Sequence, residues 1–144
     1  MNAKDAEKLL KALDDDTNTN LFNFTTKKIK EMNTRILNEL CLSKKETSDV
    51  LNKLKEYIYV DEMHELKYGT YIRWIPIENP DDIQLTKGAV FCELKITDEG
   101  VKCICKNFGY SNRHFKIDMD KNLIFRKLTS QELILLSALD HLAN

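Results

Sequence analysis

The sequence predicts an α+β protein: an N-terminal helical hairpin, a small five-stranded antiparallel barrel of SH3-like form with an OB-like barrel as the alternative, and a C-terminal capping helix. Three observations predict it. Apolar residues recur at helical spacing through the first 58 positions. Between Leu66 and Leu128 they alternate with polar residues and are broken by glycine and proline. A leucine-rich segment with its own capping signal ends the chain. The organisation that follows is an arm and linker at 1–20, a helical hairpin at 21–60, and a barrel with its helix at 66–144.

Residues Ala3 to Leu13 carry a short helical stripe of Ala6, Leu9, Leu10 and Leu13, followed by a polar linker from Asp14 to Asn20. An isolated helix of this length is marginal in water, so the arm either frays or docks on a partner through its leucines. Ile29, Met32, Ile36 and Leu40 then mark one helix, and Val50, Leu51, Leu54, Tyr57 and Ile58 a second. Ser43-Lys44-Lys45-Glu46 is a capping box that starts the second helix near Lys44. Helix, short turn, helix also invites a DNA-reading arrangement, since residues 21–60 hold eight basic and five acidic side chains. Glu46 and Asp49 would stand where phosphates must approach, which favours a plain helical hairpin.

Tyr68 to Ile77 reads as the first strand, and Pro80 forces a long loop from Glu78 to Lys87. In the next hairpin Val90, Cys92, Leu94 and Ile96 face the same way as Val101, Cys103 and Cys105 if Glu99-Gly100 is the turn. That register sets Ile96 opposite Cys103. A further hairpin pairs Phe115, Ile117 and Met119 with Leu123 and Phe125 across a turn at Asp120 to Asn122. Thr129-Ser130-Gln131-Glu132 is a second capping box, with Leu128 stapled onto Leu133. Leu133, Leu136, Leu139 and Leu142 line the face that this last helix should bury.

The chain has 144 residues and a formal charge of −1, which excludes the global positive field of a non-specific nucleic-acid coat. Charges spaced through the first sixteen residues predict no secretory signal, and no apolar run reaches membrane-spanning length. An intracellular protein with reduced cysteines is therefore expected. Cys103 and Cys105 project to one side of a strand, with Cys92 and His114 nearby, but such a pair converges poorly on a tetrahedral ion, so core packing is the better reading. His64, His114 and His141 are scattered, and no serine or cysteine stands in a nucleophile context. The expectation is no catalytic set, no metal and no cofactor.

Surface chemistry supplies the candidate site. Lys102 and Lys106 should face outward beside Phe108, Tyr110 and Arg113, a mixture of cations and rings suited to single-stranded nucleic acid. Arg73 and Trp74 form a candidate anchor pair for a protein partner, because interface centres favour Trp, Tyr and Arg.

The segments Leu66-Lys67-Tyr68-Gly69-Thr70-Tyr71-Ile72-Arg73-Trp74-Ile75, Leu85-Thr86-Lys87-Gly88 and Ile124-Phe125-Arg126-Lys127-Leu128 resemble those of small uncharacterised proteins of nucleocytoplasmic large DNA viruses. The resemblance covers the C-terminal half and implies a viral protein made in host cytoplasm and carried in the particle. Eighteen lysines against four arginines, with twelve asparagines, suit an AT-rich genome. The expected function is that of a non-enzymatic adaptor. Its barrel and long loop dock a protein partner, and its helical part orients or multimerises it. A nucleic-acid-binding module is the alternative.

Overall fold

The computed structural model describes residues 3–14, 21–107 and 113–143. Its elements are α1 (Ala3–Asp14), α2 (Thr26–Asn38), α3 (Lys44–Lys53), β1 (Tyr57–Tyr59), β2 (Tyr71–Pro76), β3 (Ala89–Thr97), β4 (Gly100–Lys106), β5 (His114–Asp118), β6 (Asn122–Lys127) and α4 (Ser130–Ala143). The α+β class agrees with the sequence, but the barrel does not form. Six strands make one open antiparallel sheet in the order β1-β6-β2-β3-β4-β5.

The sixth strand comes from a segment whose spacing suggests helix. Tyr57 and Ile58 continue the helical periodicity of Val50 and Leu54, yet α3 ends at Lys53 and Tyr57 to Tyr59 pair with Lys127 to Phe125. Aromatic and β-branched residues in succession fit a pleated surface better than a helix, and the neighbouring strand decides it. The expected hairpin of β5 with β6 is also absent. β6 inserts between β1 and β2 instead, setting Trp74 opposite Ile124 and Ile75 opposite Leu123.

That topology dictates curvature. β5 and β6 stand four places apart in the sheet, which would separate them by about 19 Å if it were flat. Only the single 3-10 turn at Met119–Lys121 joins them, and three such residues rise about 6 Å. The sheet must curl, and the rings of Trp74 on β2 and Phe115 on β5 accordingly meet across its concave side at 5.9 Å. Ile72, Trp74, Phe91, Cys103, Cys105 and Ile124 fill this concavity.

Registry within the β3–β4 hairpin differs from the expected one by two residues. The turn is Asp98-Glu99, so Leu94 lies opposite Cys103 and Ile96 opposite Val101. Thr97 fastens the turn, its hydroxyl donating to the Gly100 carbonyl at 2.9 Å and accepting from the Glu99 N–H at 3.2 Å. A slip of two keeps each side chain on its expected face, but it carries Ile96, expected in the core, beyond it to 72% exposure. A bulge between Phe91 and Glu93 then reverses the alternation, so Phe91 enters the concave core in place of Val90 and Cys92.

The helices close two other surfaces. α4 sits at the end of the concave side, with Leu135 and Leu136 packed against Ile58 and Leu128, and α1 contributes Ala12 and Leu9 to the same cluster. Both predicted capping boxes are present: Ser43 Oγ accepts from the Glu46 N–H at 3.1 Å, and Thr129 Oγ1 from that of Glu132 at 3.1 Å. The buried Glu132 also receives Arg126 through two bonds of 2.9 and 3.0 Å. Its carboxylate thus ties the helix start to β6. Leu142, expected in the buried stripe, is 81% exposed, because the covered surface ends before the last helical turn.

α2 and α3 cover the convex side of β1, β6 and β2, burying Leu37 and Leu54 against Tyr57, Ile75 and Phe125. Asn33 of α2 is buried and addresses the edge strand directly. Its side-chain amide donates to the Tyr57 carbonyl at 3.0 Å, and its oxygen accepts from the Tyr59 N–H at 3.1 Å.

Candidate interaction surface

Among the described residues, the convex side of β3, β4 and β5 carries no such helical layer. Strand pairing places its side chains in three rows: Lys95, Lys102 and Asp118; Glu93, Ile104 and Lys116; Val90, Lys106 and His114. Glu93, Lys95, His114 and Lys116 are exposed and Ile104 is half-buried. A cleft of about 450 Å³ opens among them, lined by Cys92, Glu93, Ile104, His114, Lys116 and Tyr68, which is 77% exposed.

Charge on this face is mixed and partly committed. Lys102 bonds to Asp118 through its ammonium, which raises the lysine pKa and lowers that of the carboxyl. Lys121 approaches the other oxygen of Asp118 at 3.4 Å. A nucleic-acid strand would find Glu93 and Asp118 among the cations, and the Lys102 charge already engaged. The face presents an apolar and aromatic centre, Ile104 and Tyr68, inside a rim of both signs.

Of the residues singled out by sequence, Lys102 and Lys106 share this face, and Arg113 is exposed just before β5. Phe108 and Tyr110 lie outside the described residues. Arg73 and Trp74 leave β2 on opposite faces. Trp74 is 8% exposed within the concave core, whereas the Arg73 guanidinium donates from Nε to the Thr86 carbonyl at 2.9 Å.

That bond belongs to a set that straps the segment 77–88 onto the sheet. Thr86 exchanges further bonds with Trp74, its N–H donating at 3.0 Å and its hydroxyl accepting at 3.2 Å, and the Tyr71 hydroxyl donates to the Lys87 carbonyl at 2.8 Å. Ile83 and Leu85 pack with the helices. Gly88 makes the close approach possible, since a Cβ there would stand 2.4 Å from the Ile72 carbonyl oxygen at a φ of +98°. The long loop is a strap held to β2.

Tyr68, Glu93 and Lys116 escaped the sequence reading. The alternation of β4 and β5 marks Ile104 and Lys116 as outward, but their meeting with Tyr68 and Glu93 depends on a bulge and a register that alternation does not encode. Among the described residues no cluster of three or more His, Cys, Asp or Glu is placed to hold a metal ion. Burial pushes the thiols up to about 11 for Cys103 and about 12 for Cys105, so both are neutral at physiological pH and poor nucleophiles. His64 stands on an exposed turn with Nδ1 3.1 Å from Glu62. No helix among the described residues is long and apolar enough to cross a membrane. No protein-family model matches the chain, and no curated protein or solved structure is detectably similar to it.

Proposed function

We propose that this protein is a non-enzymatic interaction module that docks a protein partner on the convex face of β3, β4 and β5. The observation that carries the reading is the cleft around Ile104: an exposed tyrosine and a half-buried isoleucine ringed by Glu93, His114 and Lys116. Apolar and aromatic anchors supply affinity there, and the charges of both signs set orientation. The resemblance to large-DNA-virus proteins extends the reading to an assembly or structural component, made inside the host cell and carried in the particle.

A photo-crosslinking residue at position 104 tests the proposal, with one at the exposed Asn79, which borders neither this cleft nor the helices' groove, as control. Position 104 should yield a discrete protein adduct that disappears when Tyr68→Asp and Lys116→Glu are introduced into the same chain. Adducts to nucleic acid alone, or equal labelling from both positions, would overturn it.

A further inference from the structure

We infer that the groove between α2 and α3 is a second docking site, independent of the sheet face, that takes an acidic amphipathic helix from a partner protein. The groove encloses about 530 Å³. Half-buried Leu42 and Leu51 form its apolar floor above the buried Ile29 and Leu54, and Lys30, Lys44 and Lys55 stand around it with no carboxylate among the lining residues; Asp140 of α4, beside one end, is taken up by the N–H and hydroxyl of Thr26. The absence is selective. The segment 21–60 holds five acidic residues (Glu31, Glu39, Glu46, Asp49 and Glu56), and every one lies off this groove.

Shape chooses the occupant. α3 runs for ten residues, about 15 Å at 1.5 Å per residue, and the groove follows its whole length from Lys44 to Lys55. Lys44 stands at the end beside the α2–α3 turn, while Lys55 and Lys30 stand at or towards the other. A single small anion cannot engage both ends. A helix of three turns can lay leucine-like side chains at positions i, i+3/i+4 and i+7 on the floor and set a carboxylate near each lysine. It would complete a three-helix arrangement, because the opposite sides of α2 and α3 are already spent on the sheet. Electrostatic complementarity of this kind fixes register and partner choice.

The test is selection of a displayed library of fourteen-residue helical peptides on the full chain, followed by affinity measurement against the Lys30→Glu/Lys44→Glu/Lys55→Glu variant, with circular dichroism to verify its fold. Enriched peptides should carry an excess of Glu and Asp, bind the triple variant at least tenfold more weakly, and lose affinity as salt rises. They should also shift the backbone amide resonances of Ser48 and Asn52. If the triple variant fails to fold, Thr47→Trp, which fills the groove without changing charge, should abolish binding in its place. Enriched peptides that are neutral or basic, binding that neither substitution alters, or no enrichment at all would each overturn the inference. None of these results bears on crosslinking at position 104.

Discussion

The two halves of the sheet are built for different surroundings. In β1, β6 and β2 both faces are occupied: Ile124 and Trp74 point into the concave core, and Phe125, Ile75 and Tyr57 point into the helices. β6 therefore reads Leu-Ile-Phe without alternation, as a strand covered on both sides should. In β4 and β5 the pattern is Val-Lys-Cys-Ile-Cys-Lys and His-Phe-Lys-Ile-Asp, with one face for the core and one for something outside it. The covered half holds the fold together. The open half leaves one face of the same sheet to solvent.

Substitutions can break this contrast, and the largest effect is expected in the covered half. Phe125 is fully buried, with its ring 5.6 Å from that of Tyr59. Phe125→Ala should cost about 4 kcal/mol in urea unfolding, whereas Ile104→Ala in the open half should cost about 1 kcal/mol. Equal losses would erase the distinction.

Next comes Glu132, which is both cap and ion-pair partner. Glu132→Ala should cost about 3 kcal/mol, because Arg126 is left largely buried and uncompensated. Arg126→Met combined with Glu132→Gln should recover part of that loss, and a double-mutant cycle measures the coupling.

The inward thiols sharpen the contrast through pH. Their folded pKa values are raised, so the native state keeps both protons where the unfolded chain begins to release them, near 9. The contribution is whole below that pH and falls as pH climbs towards 11 and 12, by roughly 1 kcal/mol per unit for each thiol. Cys103→Val should flatten the alkaline loss. Thiol labelling at pH 8 should modify the exposed Cys41 at once and Cys103 and Cys105 only after unfolding.

The smallest expected effect lies in the α2–α3 turn, away from both halves. Cys41 holds a φ of 57°, a left-handed conformation that a side chain disfavours. Cys41→Gly should raise stability by about 1 kcal/mol, read as an upward shift of the thermal midpoint.

Local signals were legible in the chain and distant ones were not. Both capping boxes lie within four consecutive residues, so Ser43 with Glu46 and Thr129 with Glu132 could be read directly. Alternation in β4 correctly turned Cys103 and Cys105 inward and put Lys102 and Lys106 together on the outside. Insertion of β6 between β1 and β2 is decided by partners 46 to 70 residues away, and nothing near Leu123 announces it. The bulge at Cys92 lacks a glycine to mark it. Arg73 and Trp74 are a different case: neighbours on a strand point apart, so a joint anchor was never compatible with the strand assigned to them.

Asn33 carries a consequence beyond local stability. By occupying the outer carbonyl and N–H of β1 with a side-chain amide, it removes one of the two borders at which another molecule's strand could attach. Fibre growth by strand addition needs an attachment point at each end of every unit. A molecule with one end sealed can be joined at most once, so whatever pairs with β5 terminates there, and crowded copies of this protein are barred from stacking into a continuous ribbon.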